Sequence, residues 1–151
     1  MERLKSILLA EDNHMDVELT LEAMSRHNLA NEVEVVNDGA QALDYLYRRG
    51  NYSSRPAGNP GVVLLDIKMP KVSGLEVLKE IKSDPNLRIM PVVVLTSSRE
   101  ESDLVKSYNL GVNAYVVKPL EFEEFVTAVS RLGVFWAIIN EPPPGSSRAI
   151  V

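Results

Sequence analysis

Three short runs of the chain are apolar at every position: Ile7-Leu8-Leu9-Ala10, Val62-Val63-Leu64-Leu65 and Val92-Val93-Val94-Leu95. A strand with one face in water alternates apolar and polar residues. An unbroken, β-branched run instead predicts a strand covered on both faces, as in a parallel sheet. Residues 32–37 and 114–117 complete a set of five, and the first of these alternates acids with valines, which predicts an edge strand. Between the strands the period changes to that of a helix. Val17, Leu21 and Met24 form one stripe, and Leu43 and Leu46 share a face within residues 40–49, after Asp38-Gly39. Leu75, Leu78 and Ile81 follow Ser73-Gly74 and are closed by Asp84-Pro85. A polar helix over 100–110 ends at Gly111, a suitable cap. The last helix, 121–140, turns Phe122, Phe125, Val129, Leu132, Trp136 and Ile139 inward until Pro142-Pro143-Pro144-Gly145 stops it. Five β-then-α units in strict alternation predict an α/β fold, an open parallel sheet with helices on both faces. Ligands of such sheets bind in the crevice at the carboxyl ends of the strands.

Composition narrows the field. The 151 residues make one ordinary domain, expected over 1–140, with 141–151 as a flexible tail and no output domain after the fifth helix. The chain has no cysteine, which removes disulfides, thiolate metal sites and cysteine nucleophiles. The apolar stretch 133–139 is too short to cross a bilayer, and the first residues do not read as an export signal, so a cytoplasmic protein without a membrane partner is expected. A net charge of −5 with no basic cluster argues against nucleic-acid binding.

The chemistry lies at the strand ends. The first strand runs into Glu11-Asp12, the third into Asp66, the fourth into Thr96 and the fifth into Lys118. In the expected topology these side chains meet in one crevice, where three carboxylates repel unless a cation sits among them. An all-oxygen site suits a hard ion, Mg²⁺ or alternatively Mn²⁺. An oxygen of Asp66 can then attack a phosphoryl group, with Lys118 and the Thr96 hydroxyl on the equatorial oxygens. Each residue also has an ordinary reading. Asp12 or Asn13 could cap the first helix, Asp66 could be a turn residue, Thr96-Ser97-Ser98 could cap a helix, and Lys118 could be a solvated charge.

Four ordered runs and one glycine carry a family resemblance: Ile7-Leu8-Leu9-Ala10-Glu11-Asp12, Leu64-Leu65-Asp66-Ile67-Lys68-Met69-Pro70 with Gly74, Val94-Leu95-Thr96-Ser97, and Ala114-Tyr115-Val116-Val117-Lys118-Pro119. Together, and in their spacing, they resemble the receiver domains of bacterial two-component response regulators over nearly the whole chain. The resemblance implies a flavodoxin-like three-layer (βα)5 sandwich with strand order 2-1-3-4-5. It implies Asp66 as phosphoacceptor, a phosphohistidine of a histidine kinase as donor, and no catalysis beyond the protein's own phosphorylation and dephosphorylation. Asp12, Asp66 and the backbone carbonyl of Lys68 would bind the metal, with Glu11 acting through water. Thr96, Ser97 and Lys118 would bind the phosphoryl group, and Lys118 would precede a cis bond to Pro119. Thr96 and Tyr115 would form the switch.

The long Gly/Pro-rich segment 48–60 before the third strand, together with Phe135-Trp136 and the end of the chain, is similar to the stand-alone receivers that partner phytochrome-type histidine kinases. The apolar second half of the last helix predicts a homodimer through Leu104, Tyr108, Phe135 and Trp136. Lys68 and Ser98, two places beyond Asp66 and Thr96, are expected to tune the phosphoryl lifetime. His14 and His27 are expected to face solvent. Rival readings are weaker. No nucleotide-binding glycine motif follows a strand. An acidic first strand end would repel an FMN phosphate. An aspartyl-nucleophile phosphatase would place an acid where Lys68 stands. A pseudo-receiver acting only as an interaction module would have no need of the complete acidic cluster.

Overall fold

The computed structural model describes residues 6–25, 33–112 and 114–131. Strands β1 (Ile7–Ala10), β2 (Val33–Val36), β3 (Val62–Asp66), β4 (Val92–Thr96) and β5 (Tyr115–Val117) alternate with helices α1 (His14–Ser25), α2 (Gly39–Tyr47), α3 (Gly74–Ser83), α4 (Arg99–Ser107) and α5 (Phe122–Arg131). The sheet is parallel throughout, in the order β2-β1-β3-β4-β5. The three all-apolar runs are the three central strands, and every one of their residues is buried. β2 lies at an edge with Glu34 exposed, as its alternation predicts.

Successive residues of a strand feed opposite cores, the consequence of a two-residue period. Leu8, Val63, Leu65, Val92 and Val94 pack with Leu43, Leu46, Val77, Leu78, Ile81 and Val105 of α2, α3 and α4. Ile7, Leu9, Val62, Leu64, Val93 and Leu95 pack on the other face with Val17 and Met24 of α1 and Phe125 and Ala128 of α5. The three central strands are therefore dry on both faces, and their polar residues, Asp66 and Thr96, fall at the strand ends.

The helix starts are capped by side chains next to the chemistry, not by the chemistry itself. Asn13 Oδ1 accepts the Asp16 amide at 3.0 Å, Asp38 the Gln41 amide at 2.8 Å, Ser73 the Glu76 amide at 3.2 Å and Ser98 the Glu101 amide at 3.1 Å. Of the capping alternatives open in the sequence, Asn13 and Ser98 take the role, leaving Asp12 and Thr96 for the crevice.

Some boundaries move. α4 ends at Ser107, three residues before Leu110, because Asn109 already turns left-handed with φ 52°, ahead of Gly111 at φ 78°. Segment 48–60 is knitted, not loose. It opens with a 3₁₀ turn (Gly50–Tyr52). The Arg55 guanidinium stacks 4.2 Å over the Tyr45 ring and donates to the Tyr45 and Gly58 carbonyls, both at 2.9 Å. His14 is exposed. His27, Phe135, Trp136, the expected continuation of the last helix beyond Arg131 and the tail lie outside the described residues.

Candidate functional site

The strand ends bring the expected residues together. β1 pairs with both β2 and β3, so Glu11, just past β1, stands next to Asp66 at the end of β3. Both side chains are almost fully buried, at 1% and 2% exposure. Asp12, one residue on, is exposed at the mouth. One carboxylate oxygen from each of Glu11, Asp12 and Asp66 can be chosen so that all lie within 4.8 Å of one another. Three acids at that separation fit a single hard cation, whose charge would offset their repulsion.

Lys118 reaches this cluster from the end of β5. Its Nζ donates to Glu11 Oε1 at 3.1 Å and to Asp16 Oδ2 at 3.0 Å, and lies 3.3 Å from Asp66 Oδ2. Its backbone is held from both sides: the amide donates to the Thr96 carbonyl at 2.8 Å, and the bond to Pro119 is cis. Burial works against the ammonium, but the carboxylates of Asp16, Asp66 and Glu11 outweigh it and hold the group above its ordinary pKa. Lys118 is thus a fixed positive charge.

Glu11 responds the opposite way. Burial, then the hydrogen bond and charge of Asp66, push its carboxyl up to about 8. Hydrogen bonds from the Asn13 amide and Lys118 oppose the shift without cancelling it. Burial beside a second buried acid thus disfavours the charged form of Glu11.

Thr96 ends β4, one residue beyond Leu95, which pairs with Asp66. Its side chain is 0% exposed, and its hydroxyl has no hydrogen-bond partner. An unpartnered buried hydroxyl is costly, so this one is a group in want of a ligand. Tyr115 is half-buried at the start of β5, with the Lys106 ammonium 4.9 Å over its ring. Leu104 on α4 and Tyr108, the residue that caps its C-terminus, are exposed, at 56% and 46%.

Matching of family patterns agrees with the geometry: the response regulator receiver domain matches residues 7–130. The chain belongs to this family. Among solved structures similar to this receiver is the bacteriophytochrome response regulator AtBRR, 61% identical, covering 93% of this chain and 100% of that one with a TM-score of 0.88. Rcp1 of Synechocystis sp. is 39% identical over 132 residues, 87% of this chain and 88% of that protein. The structure of its Mn²⁺-bound form superposes with a TM-score of 0.70 at 38% identity, covering 88% of this chain and 94% of that one. The phosphorylated cyanobacterial phytochrome response regulator RcpA is 42% identical, with a TM-score of 0.70 over 87% of this chain and 93% of that one. These relatives share the receiver fold, a signalling domain and not a metabolic enzyme. Among the described residues, no helix is long and apolar enough to cross a membrane.

Two site residues escape sequence reasoning. Asp16, in the first turn of α1, is one of the three carboxylates around Lys118. Glu101, in the first turn of α4, is 8% exposed and lies 3.4 Å from Lys68 Nζ. Acids in a first helical turn are ordinary, since they complement the helix dipole, so nothing in the pattern marks these two. The Ser98-Arg99-Glu100-Glu101 run does carry a capping-box signature that draws attention to Glu101.

Proposed function

We propose that this receiver accepts a phosphoryl group on Asp66 from a histidine kinase in a Mg²⁺-dependent reaction and switches a protein-interaction face. The observation that carries the reading is the buried, unpartnered Thr96 hydroxyl beside a buried Asp66 and a Lys118 tethered at the same strand ends. The arrangement has an acceptor carboxylate, a hydroxyl donor and a fixed cation, which is most of what phosphoryl transfer asks of a protein. Asp12, Asp66 and the Lys68 carbonyl would hold Mg²⁺, or Mn²⁺ in its place, with Glu11 acting through water. The bound ion supplies charge neutralisation for the acids and for the phosphoryl oxygens.

In the transfer an Asp66 oxygen bonds to phosphorus. The phosphorus–nitrogen bond of the donor phosphohistidine breaks, and the imidazole nitrogen keeps the electron pair. Lys118 exchanges part of its carboxylate contacts for the new phosphoryl oxygens, and the Thr96 hydroxyl gains the acceptor it lacks. Ser97, next along the loop, contributes its amide. Movement of Thr96 toward the phosphoryl group vacates space behind it that Tyr115 enters, which alters the face made by α4, β5 and α5. Exposed Leu104 and Tyr108 on that face, together with Phe135 and Trp136, would form the interface of a homodimer. The similarity to AtBRR and RcpA supports a phytochrome-type histidine kinase as the partner, and the cytoplasm is the compartment where such a kinase would be met.

Incubation with a small phosphodonor and Mg²⁺, followed by intact mass, tests the core of this reading. Wild type is expected to gain one phosphoryl group, and Asp66→Asn none. A wild type that stays unmodified, or an Asp66→Asn variant that is modified equally, overturns it.

A further inference from the structure

Glu101, beside the crevice, is a carboxylate that the chemistry above does not use. Glu101 accepts the Ser97 amide on Oε1 at 3.0 Å and the Ser97 hydroxyl on Oε2 at 3.1 Å, and Oε2 also lies 3.4 Å from the Lys68 ammonium. Ser97 directly follows Thr96, and Lys68 stands two residues beyond Asp66, so these donors come from the ends of two adjacent strands. An amide, a hydroxyl and an ammonium gathered on one small anion are the kind of donor set that a phosphoryl group on Asp66 would draw upon. A glutamate in a first helical turn can satisfy the helix dipole while remaining in water, yet this one is only 8% exposed. Two of its three donors belong to Ser97, and the third, the Lys68 ammonium, is on a side chain that is 78% exposed.

We infer that Glu101 is a positioning residue for the phosphoryl group: in the unphosphorylated receiver it holds Ser97 and Lys68 in reserve, and it yields them when Asp66 is phosphorylated. The inference rests on Asp66 being the phosphoacceptor. A carboxylate carries one charge on two oxygens, whereas a phosphoryl group carries up to two charges on three, so charge-assisted donors favour the newcomer. Glu101 then faces an added like charge across the donors it has lost, and is expelled. Its amide is held by the N-cap Ser98 at 3.1 Å, so its departure pulls on the first turn of α4. That helix carries Leu104 and is capped at its far end by Tyr108. Phosphorylation thereby reaches the α4 face by a route that does not pass through Tyr115.

Beryllofluoride with Mg²⁺, a phosphoryl mimic, provides the probe. Titration calorimetry measures its affinity, and the ¹H–¹⁵N resonance of Ser97 reports the contact directly. Glu101→Gln removes the charge that competes for Lys68 and Ser97, so it is expected to bind the mimic about three- to tenfold tighter than wild type. Glu101→Asp, which withdraws the carboxylate by one methylene but keeps its charge, is expected to fall between, and it carries the test should the Gln variant fold poorly. In wild type the Ser97 amide resonance should move on adding the mimic, and in free Glu101→Gln it should already be displaced. Variants that bind no tighter than wild type, or a Ser97 resonance indifferent to the mimic, overturn the role of Glu101 alone. A wild type that ignores beryllofluoride, or an Asp66→Asn variant that binds it equally well, overturns the phosphoacceptor reading and the inference with it.

Discussion

At Glu11 the cost of building an acidic pocket is concentrated in a single carboxyl. It is 1% exposed, and burial together with Asp66 raises its pKa from an ordinary 4.5 to about 8. In metal-free protein the folded state keeps a proton that the unfolded chain releases near 4.5. The associated stability is therefore fully present at low pH, declines as pH rises from about 4.5, and is gone above about 8. The amount is on the order of a few kcal/mol. Urea unfolding in the presence of chelator should show wild type losing stability across that window, while Glu11→Gln, which mimics the neutral form, should hold a flatter profile. Parallel profiles would refute the burial account. Asp66, Thr96 and Lys118 were legible at this scale because each ends an apolar run. Asp16 and Glu101 were not, because first-turn acids are common for reasons unrelated to any site.

Between strand and helix, short connections set where the side chains point. Gly74 opens α3 with its amide 2.8 Å from the Ile67 carbonyl, and a Cβ there would stand 2.0 Å from the backbone oxygen of Asp66. No side chain can move to relieve that clash, so the loop after β3 must shift and take Asp66 with it. Gly74→Ala is expected to destabilise the protein by about 1–3 kcal/mol in urea titration. It should also reduce phosphorylation of Asp66 under conditions where it remains folded. Wild-type stability would show that the loop has slack. Ser98 offers a milder case: its hydroxyl is the N-cap of α4. Ser98→Ala should cost about 1 kcal/mol, read from the shift in urea midpoint. The ends of the elements were less legible than their middles. α4 stops early because Asn109 adopts a left-handed conformation, which its sequence permits but does not demand.

For the molecule as a whole, five strands with both faces covered leave the strand ends and the outer edges as the places for chemistry and partners. The exposed Leu104 of α4 and Tyr108 at its C-terminal cap support dimerisation through the α4–β5–α5 face. Sedimentation is expected to show concentration-dependent dimers of wild type and a monomer for Leu104→Arg combined with Tyr108→Ala. A wild type that stays monomeric at high concentration, with and without beryllofluoride, would remove the dimer. The chain alone determined the alternation of strand and helix, the buried centre of the sheet and which acidic and polar residues stand at the strand ends. Burial and period are written in each segment locally, and a strand end is a place that every parallel sheet leaves open. Tertiary structure decided which donors share which acceptor. That Lys118 is held by three acids, that Thr96 stands without a partner while Ser98 caps, and that Glu101 occupies Ser97 and Lys68 all depend on distances between segments far apart in sequence. Hydrogen bonds and ion pairs are settled by differences of about an ångström, which a residue pattern does not encode.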